Sequence, residues 1–186
     1  MRALHQGYRE RMPTPPADPQ TELVEAFWIE ARVRSGLAGE EIYQGVSSSA
    51  VLRPPAWSFG DTREMADELC ALVLSGRKTT TSSPAWAYDA YDGDGHGEPM
   101  PEAGSVTILC DGSGSPRAVL RTTRVRVVPF DEVEAAHAWA EGEGDGSLDG
   151  WRAGHQDFFT RVDDGSHPFA ADMPVVLEEF EVLARA

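Results

Sequence analysis

The run Arg77-Lys78-Thr79-Thr80-Thr81-Ser82-Ser83 places an amine beside a series of hydroxyls. A threonine hydroxyl is a poor nucleophile until a neighbouring base takes its proton, and a partly desolvated lysine loses enough basicity to be that base. Thr81 lies three residues beyond Lys78, so a flat strand sends the two side chains to opposite faces. A bend or bulge is therefore expected between them. Further on, Glu141-Gly142-Glu143-Gly144-Asp145 alternates carboxylates with glycines. A carboxylate such as Glu143 can orient the lysine or act as acid and base toward a leaving amine. The plainer alternative is that Lys78 caps the carboxyl end of the preceding helix and Thr81 is an ordinary strand residue.

The acidic alternation also resembles the opening of a calcium loop. That motif needs an acidic twelfth residue, and here the twelfth is Arg152, so the calcium reading fails. Two of the carboxylates remain suitable donors for magnesium or manganese, an alternative that suits phosphodiester cleavage. Asp92-Gly93-Asp94-Gly95-His96-Gly97 reads as a solvated loop. Trp57, Phe59 and Trp151 are the aromatic candidates for stacking on a base, with core packing the blander reading for Phe59 and Trp151. Arg77, Thr79 and Ser82 flank the lysine as candidate ligand contacts. His155 shares an apolar face with Trp151 and reads as a satisfied, partly buried histidine. Arg77, Arg121, Arg124 and Arg126 are the concentrated positive charge, the local patch that a phosphate needs.

Helical spacing of Leu23, Phe27 and Ala31 predicts a first helix over Thr21–Ser35, with Gly36 beyond its end. Residues 1–20 are Pro-rich and polar and read as a flexible arm, and 21–55 as a helical extension ahead of the main domain at 56–186. Asp61 and Glu64 form a capping-box pattern that opens a second helix, striped by Met65, Leu69, Leu72 and Val73 and stopped at Gly76. The β-branched run after it predicts a strand, and residues 84–104 a long loop. Ser105–Asp111 and Pro116–Thr122 read as a hairpin across Gly112-Ser113-Gly114. Arg124–Val128 reads as a further strand with one wet face. Asp131 and Glu134 repeat the capping pattern and open a helix to about Trp139. Glu141–Ser147 reads as loop, Leu148 onward as a helix carrying Trp151, His155, Phe158, Phe159 and Val162, and Pro174–Leu183 as the closing strand. Strands interleaved with helices predict an α+β fold around a small mixed barrel.

With 186 residues the chain suits one domain with a real core. It has no apolar run of membrane-spanning length and no secretory pattern at its start. Cys70 and Cys110 fall among apolar residues and read as reduced core thiols, so the cytoplasm is the expected location. The net charge of −15 repels a polyanion. A small, weakly charged ligand escapes that penalty.

Four pieces in order resemble the ASCH family. They are Trp57-x-Phe59-Gly60, Gly76-Arg77-Lys78-Thr79-x-Thr81, Pro129-Phe130-x-x-Val133, and Ala140-Glu141-Gly142-Glu143-Gly144-Asp145-x-Ser147-Leu148-x-x-Trp151, extended by His155-x-x-Phe158-Phe159. The resemblance implies a PUA-like small mixed β-barrel with flanking helices, and a cleft for RNA or its components. Relatives include an amidohydrolase acting on N4-acetylcytidine, a metal-dependent ribonuclease and non-catalytic RNA-binding modules. Carried over from the amidohydrolase pattern, Lys78, Thr81 and Glu143 are the implied catalytic residues. Ser82 and Ser83 depart from that pattern, which has an apolar residue and then an arginine there. The expected ligand is a nucleoside or single-stranded RNA. The expected assembly is a monomer or homodimer, and no cofactor is required beyond the magnesium or manganese alternative.

Overall fold

The computed structural model describes residues 14–37, 53–88 and 99–186. Residues 1–13, 38–52 and the Asp92–Gly97 run lie outside the described residues. α1 (Thr21–Arg34) forms where the sequence places it, but its buried face is Val24, Phe27, Trp28 and Ala31, while Leu23 is 46% exposed. That face packs against Val106, Ile108, Cys110 and Val119 of the sheet. α1 is thus part of the same core as the strands rather than an outlying extension. Residues 14–20 are also tied down. Arg63 N donates to Thr14 O, Ala17 N to Gly112 O and Gln20 N to Gly114 O, at 2.8, 3.1 and 2.9 Å. Over this stretch the flexible arm is replaced by chain bonded to the start of α2 and to the turn at Gly112–Gly114.

β1 (Ala56–Ser58), a strand the sequence reading did not separate out, leads into α2 (Arg63–Leu74). The cap of α2 is Thr62, whose hydroxyl accepts from Met65 N at 3.1 Å. Asp61 instead meets Arg161 of the last helix at 2.7 Å. Ala66, Cys70 and Val73 form the buried stripe of α2, so Val73 lies where expected while the face is rotated slightly from Met65, Leu69 and Leu72.

β2 (Thr80–Pro84) follows, then a 3-10 turn at Ala85–Ala87 and β3 (Val106–Cys110). The two strands expected at 116–122 and 124–128 are one, β4 (Pro116–Pro129). Its register against β5 (Pro174–Arg185) shifts between Thr122 and Arg124, the local irregularity that makes the sequence look divided there. The expected alternation over Arg124–Val128 is absent. Val127 is exposed, and Val125, Arg126 and Val128 are all half-buried. A 3-10 turn at Phe130–Glu132 precedes α3 (Ala135–Glu141) and α4 (Leu148–Val162). Glu134 is the residue before α3, and its side chain makes no cap bond.

The sheet order is β1-β3-β4-β5-β2, parallel at β1–β3 and antiparallel elsewhere. It forms a half-barrel with four helices among the described residues, the α+β PUA-like architecture expected. β1 and β2 are its two edges. Cys70 and Cys110 are buried free thiols, and burial pushes both up to about 11. No helix among the described residues is long and apolar enough to cross a membrane.

Candidate functional site

Two helix ends meet at the free edge of β2. α2 stops at Gly76, whose φ of +76° lets Arg77 N and Lys78 N both donate to Leu72 O at 3.0 and 3.1 Å. α3 stops at Gly142, with φ +68°, and a Cβ there would collide with the Arg77 carbonyl oxygen. Thr79 N donates to Ala140 O at 2.9 Å and locks the two turns together. Gly142→Ala is therefore expected to cost about 1–3 kcal/mol, from left-handed backbone strain plus a forced shift of Arg77. Urea unfolding measures it, and a loss within a few tenths of that of an exposed control would remove the locking role.

The two turns bring Lys78 Nζ to 2.7 Å from both Glu141 Oε2 and Glu143 Oε1. Lys78 and Glu141 have side chains 1% exposed, whereas Glu143 is 36% exposed. Burial works to lower the Lys78 pKa, but the adjacent charges and hydrogen bonds of Glu141 and Glu143 outweigh it, and the net shift is upward. Burial likewise opposes ionisation of Glu141. The charge of Lys78, with the His137 and His155 rings beside the carboxylate, overcomes it and holds the carboxyl well below its ordinary range. Lys78 is therefore an ammonium at neutral pH. This corrects the expectation of a lysine neutralised by desolvation so that it can act as a base, because desolvation alone is not the dominant field at this site.

Glu141 is the hub. Its Oε1 accepts from Ser82 Oγ at 2.6 Å and from Trp151 Nε1 at 2.7 Å, and lies 3.2 Å from His137 Nε2 and 3.6 Å from His155 Nε2. Ser82 Oγ is also 2.9 Å from His137 Nε2. His155 Nδ1 lies 3.0 Å from the Trp151 carbonyl, and its ring stacks on the Trp151 indole. Sequence reading assigned Glu141 to a loop and passed over His137. The signal for both was their spacing of four on one helix, directly before a glycine.

The other expected site residues divide. Phe59 is buried, 5.4 Å from Lys78 Nζ to its ring centroid, and half-buried Trp57 meets it edge-on at 4.5 Å. Trp151 is a buried donor to Glu141 rather than an open platform. Thr79 bonds the Ala140 carbonyl from its exposed hydroxyl, and Arg77 donates to Gly142 O at 3.2 Å, so both serve the joint between turns.

Thr81 is set apart. β2 pairs with β5 in unbroken register, Thr80 with Glu179, Thr81 with Glu178 and Ser82 with Leu177. From Thr80 on the strand carries no bulge, so Thr80 and Ser82 turn toward α3 while Thr81 takes the opposite face, and Lys78 and Thr79, where the bend was expected, lie ahead of the strand. Its hydroxyl makes no hydrogen bond to Lys78 or to any other described residue.

The acidic loop does not assemble as a metal centre among the described residues. The Lys78 ammonium sits between Glu141 and Glu143, and Asp145 accepts from Ser147 N at 2.9 Å. The close ligand trio is Asp163, Asp164 and His167, after α4. The arginine patch is charge-balanced: Arg121 lies 3.8 Å from Glu181, Arg124 3.4 Å from Glu179 and Arg126 4.0 Å from Glu134. Arg124, Arg126, Glu134 and Glu179 line one cavity of about 390 Å³.

The family model described as ASCH domain matches residues 55–184. A solved protein from Enterococcus faecalis, described as family-model DUF984, is 34% identical. It superposes at a TM-score of 0.70 over 89% of this chain and 90% of its own. An ASCH domain from Lactobacillus crispatus is 26% identical, with a TM-score of 0.72 over 89% of this chain and 96% of its own. No curated protein matches the chain.

Proposed function

The chain belongs to the ASCH domain family, which is linked to RNA-related function, and on that premise we propose that it hydrolyses the amide of a modified, N4-acetylcytidine-type nucleoside. The observation that carries this is the pairing of a buried ammonium, Lys78, with the one-third exposed carboxylate of Glu143. Lys78 is a positioning residue: it fixes Glu143 and keeps positive charge beside it. Glu143 is the base that takes a proton from water as the water oxygen bonds to the acyl carbon. As the C–N bond breaks, the same carboxyl returns that proton to the leaving N4 amine, giving carboxylic acid and cytidine. Thr81, unbonded and turned to the other face of β2, contacts ligand rather than attacking it.

The metal-dependent ribonuclease is the weaker reading, because the ammonium occupies the space between the two carboxylates best placed to share an ion. A binding-only module differs in one respect, the absence of turnover. Incubation with N4-acetylcytidine and with single-stranded RNA, each with and without manganese, tests all three. Release of acetate from the nucleoside without metal is expected. Cleavage of RNA only with manganese would replace the proposal, and binding without any product would leave a module.

Charge gives an independent check. A nucleoside releases no counterions, so its affinity should change far less than tenfold between low and physiological salt. An RNA strand held by three or four arginine–phosphate contacts should lose about tenfold or more for a fourfold salt increase, at a slope of about −0.7 per contact. The flat response is expected, since Arg121, Arg124 and Arg126 already face carboxylates. A slope steeper than about −2 would put the RNA strand first.

A further inference from the structure

Glu141 is buried and ionised at neutral pH, and an ionised carboxylate only accepts hydrogen bonds. The one hydrogen of Ser82 Oγ goes to Glu141 Oε1, at 2.6 Å. That leaves Ser82 Oγ as the acceptor toward His137 Nε2 at 2.9 Å, so Nε2 is a ring nitrogen that carries a hydrogen. The assignment also suits the second neighbour of Nε2, Glu141 Oε1 at 3.2 Å. Donation therefore runs one way, from His137 to Ser82 to Glu141. On its other oxygen Glu141 meets the Lys78 ammonium, which bonds Glu143 at the same distance of 2.7 Å. His137, Ser82, Glu141 and Lys78 are all buried, and Glu143 is the member of the chain that reaches solvent. An apolar residue in place of Ser82, as in the amidohydrolase pattern, would break the chain in its middle.

We propose that Ser82 is a positioning residue that sets how Lys78 is shared between Glu141 and Glu143. Two carboxylates compete for one ammonium, and each pulls less strongly the more of its charge other donors meet. Ser82 at 2.6 Å and Trp151 at 2.7 Å both load Oε1 of Glu141. Without the hydroxyl, the buried Glu141 draws Lys78 away from Glu143, whose one-third exposure lets water screen its charge. Ser82 thus leaves Lys78 free to support the ionised Glu143. That carboxylate is the base in the function proposed above, and for turnover the inference rests on that function. The other charged or titratable groups nearby are Arg77, bonded to Gly142 O, His155 of α4, beside Glu141, and Asp145, bonded to Ser147 N. Among the described residues, none of these three bonds Lys78 or Glu143.

Carboxyl-carbon NMR of the full-length protein tests this through the pH at which Glu143 titrates. Weaker support from Lys78 disfavours the ionised form, so in Ser82→Ala the titration should move to higher pH, by about half a unit or more. Ser82→Thr keeps the hydroxyl and should titrate as wild type does. With N4-acetylcytidine, the acid limb of kcat against pH should move in step in Ser82→Ala, while KM stays within about twofold. A folded Ser82→Ala with an unmoved Glu143 titration overturns the inference and leaves the proposed function standing. An equal shift in Ser82→Thr also overturns it, by assigning the effect to packing. If wild type does not turn over N4-acetylcytidine, the proposed function fails, and the Glu143 titration still decides the role of Ser82. If Ser82→Ala does not fold, nitrogen NMR of the wild-type histidines decides: a hydrogen on Nε2 of His137 supports the chain, and a bare Nε2 overturns it.

Discussion

Lys78→Met should lower the unfolding free energy by about 3–5 kcal/mol, because it leaves Glu141 as a buried charge without its counter-ion. Adding Glu141→Gln in the same chain should recover most of that loss. The amide oxygen can still accept from Ser82 and Trp151, and no unpaired charge remains buried. Urea denaturation of the two single variants and the double variant gives the cycle. Additive losses would show that Lys78 and Glu141 are independent and that the site is not an ion-paired unit.

The same pair fixes a pH dependence. Glu141 has a folded pKa below its ordinary 4.5, so its contribution is present above that value and is lost as pH falls through the lower folded value. Lys78 has a folded pKa above its ordinary 10.5, so its contribution is complete below that value and is lost as pH rises through the higher folded value. Melting temperature should therefore fall at the acid end in wild type. In Lys78→Met the acid loss should be smaller, since burial then favours a protonated Glu141. An identical acid profile in the two proteins would assign the acid loss to other carboxylates.

Glu143→Gln should reduce turnover of N4-acetylcytidine by about 100-fold or more, the range over which a positioned acid–base group acts. Affinity should stay within about tenfold, because a group that works mainly in the transition state affects rate more than ground-state binding. The substitution keeps the shape of a side chain that is one-third exposed, so folding should survive it. Collapse of binding at unchanged fold would make Glu143 a recognition residue and favour the module. Turnover near the wild-type rate would remove it from the chemistry.

The element plan was legible in the sequence because it depends on short-range pattern. Apolar spacing of three and four marked α1, α2 and α4, and Gly112-Ser113-Gly114 marked the turn into β4. The ordered ASCH motifs also identified the family and drew Lys78 and Glu143 together before any coordinates. Cap identity was read less well. Thr62 and Asp61 stand side by side, and only the reach of Arg161 from α4 decides which is free to cap α2.

What the tertiary structure alone decided is the electrostatic state of the site. A lysine near a helix end loses or gains basicity according to what faces it, and those facing groups come from distant segments. Glu141 and Glu143 arrive from the end of α3, and His155 and Trp151 from α4. Their combined effect holds Lys78 charged, where burial alone would have made it a base. Strand register decided the second matter. With no bulge in β2, Ser82 turns to Glu141 and Thr81 turns to Glu178. A single-residue change of register would reverse those partners, and nothing in the local run of threonines and serines specifies it. The register is set by Leu177 and Val175, which must face Trp151 and Phe159 in the helix-covered core.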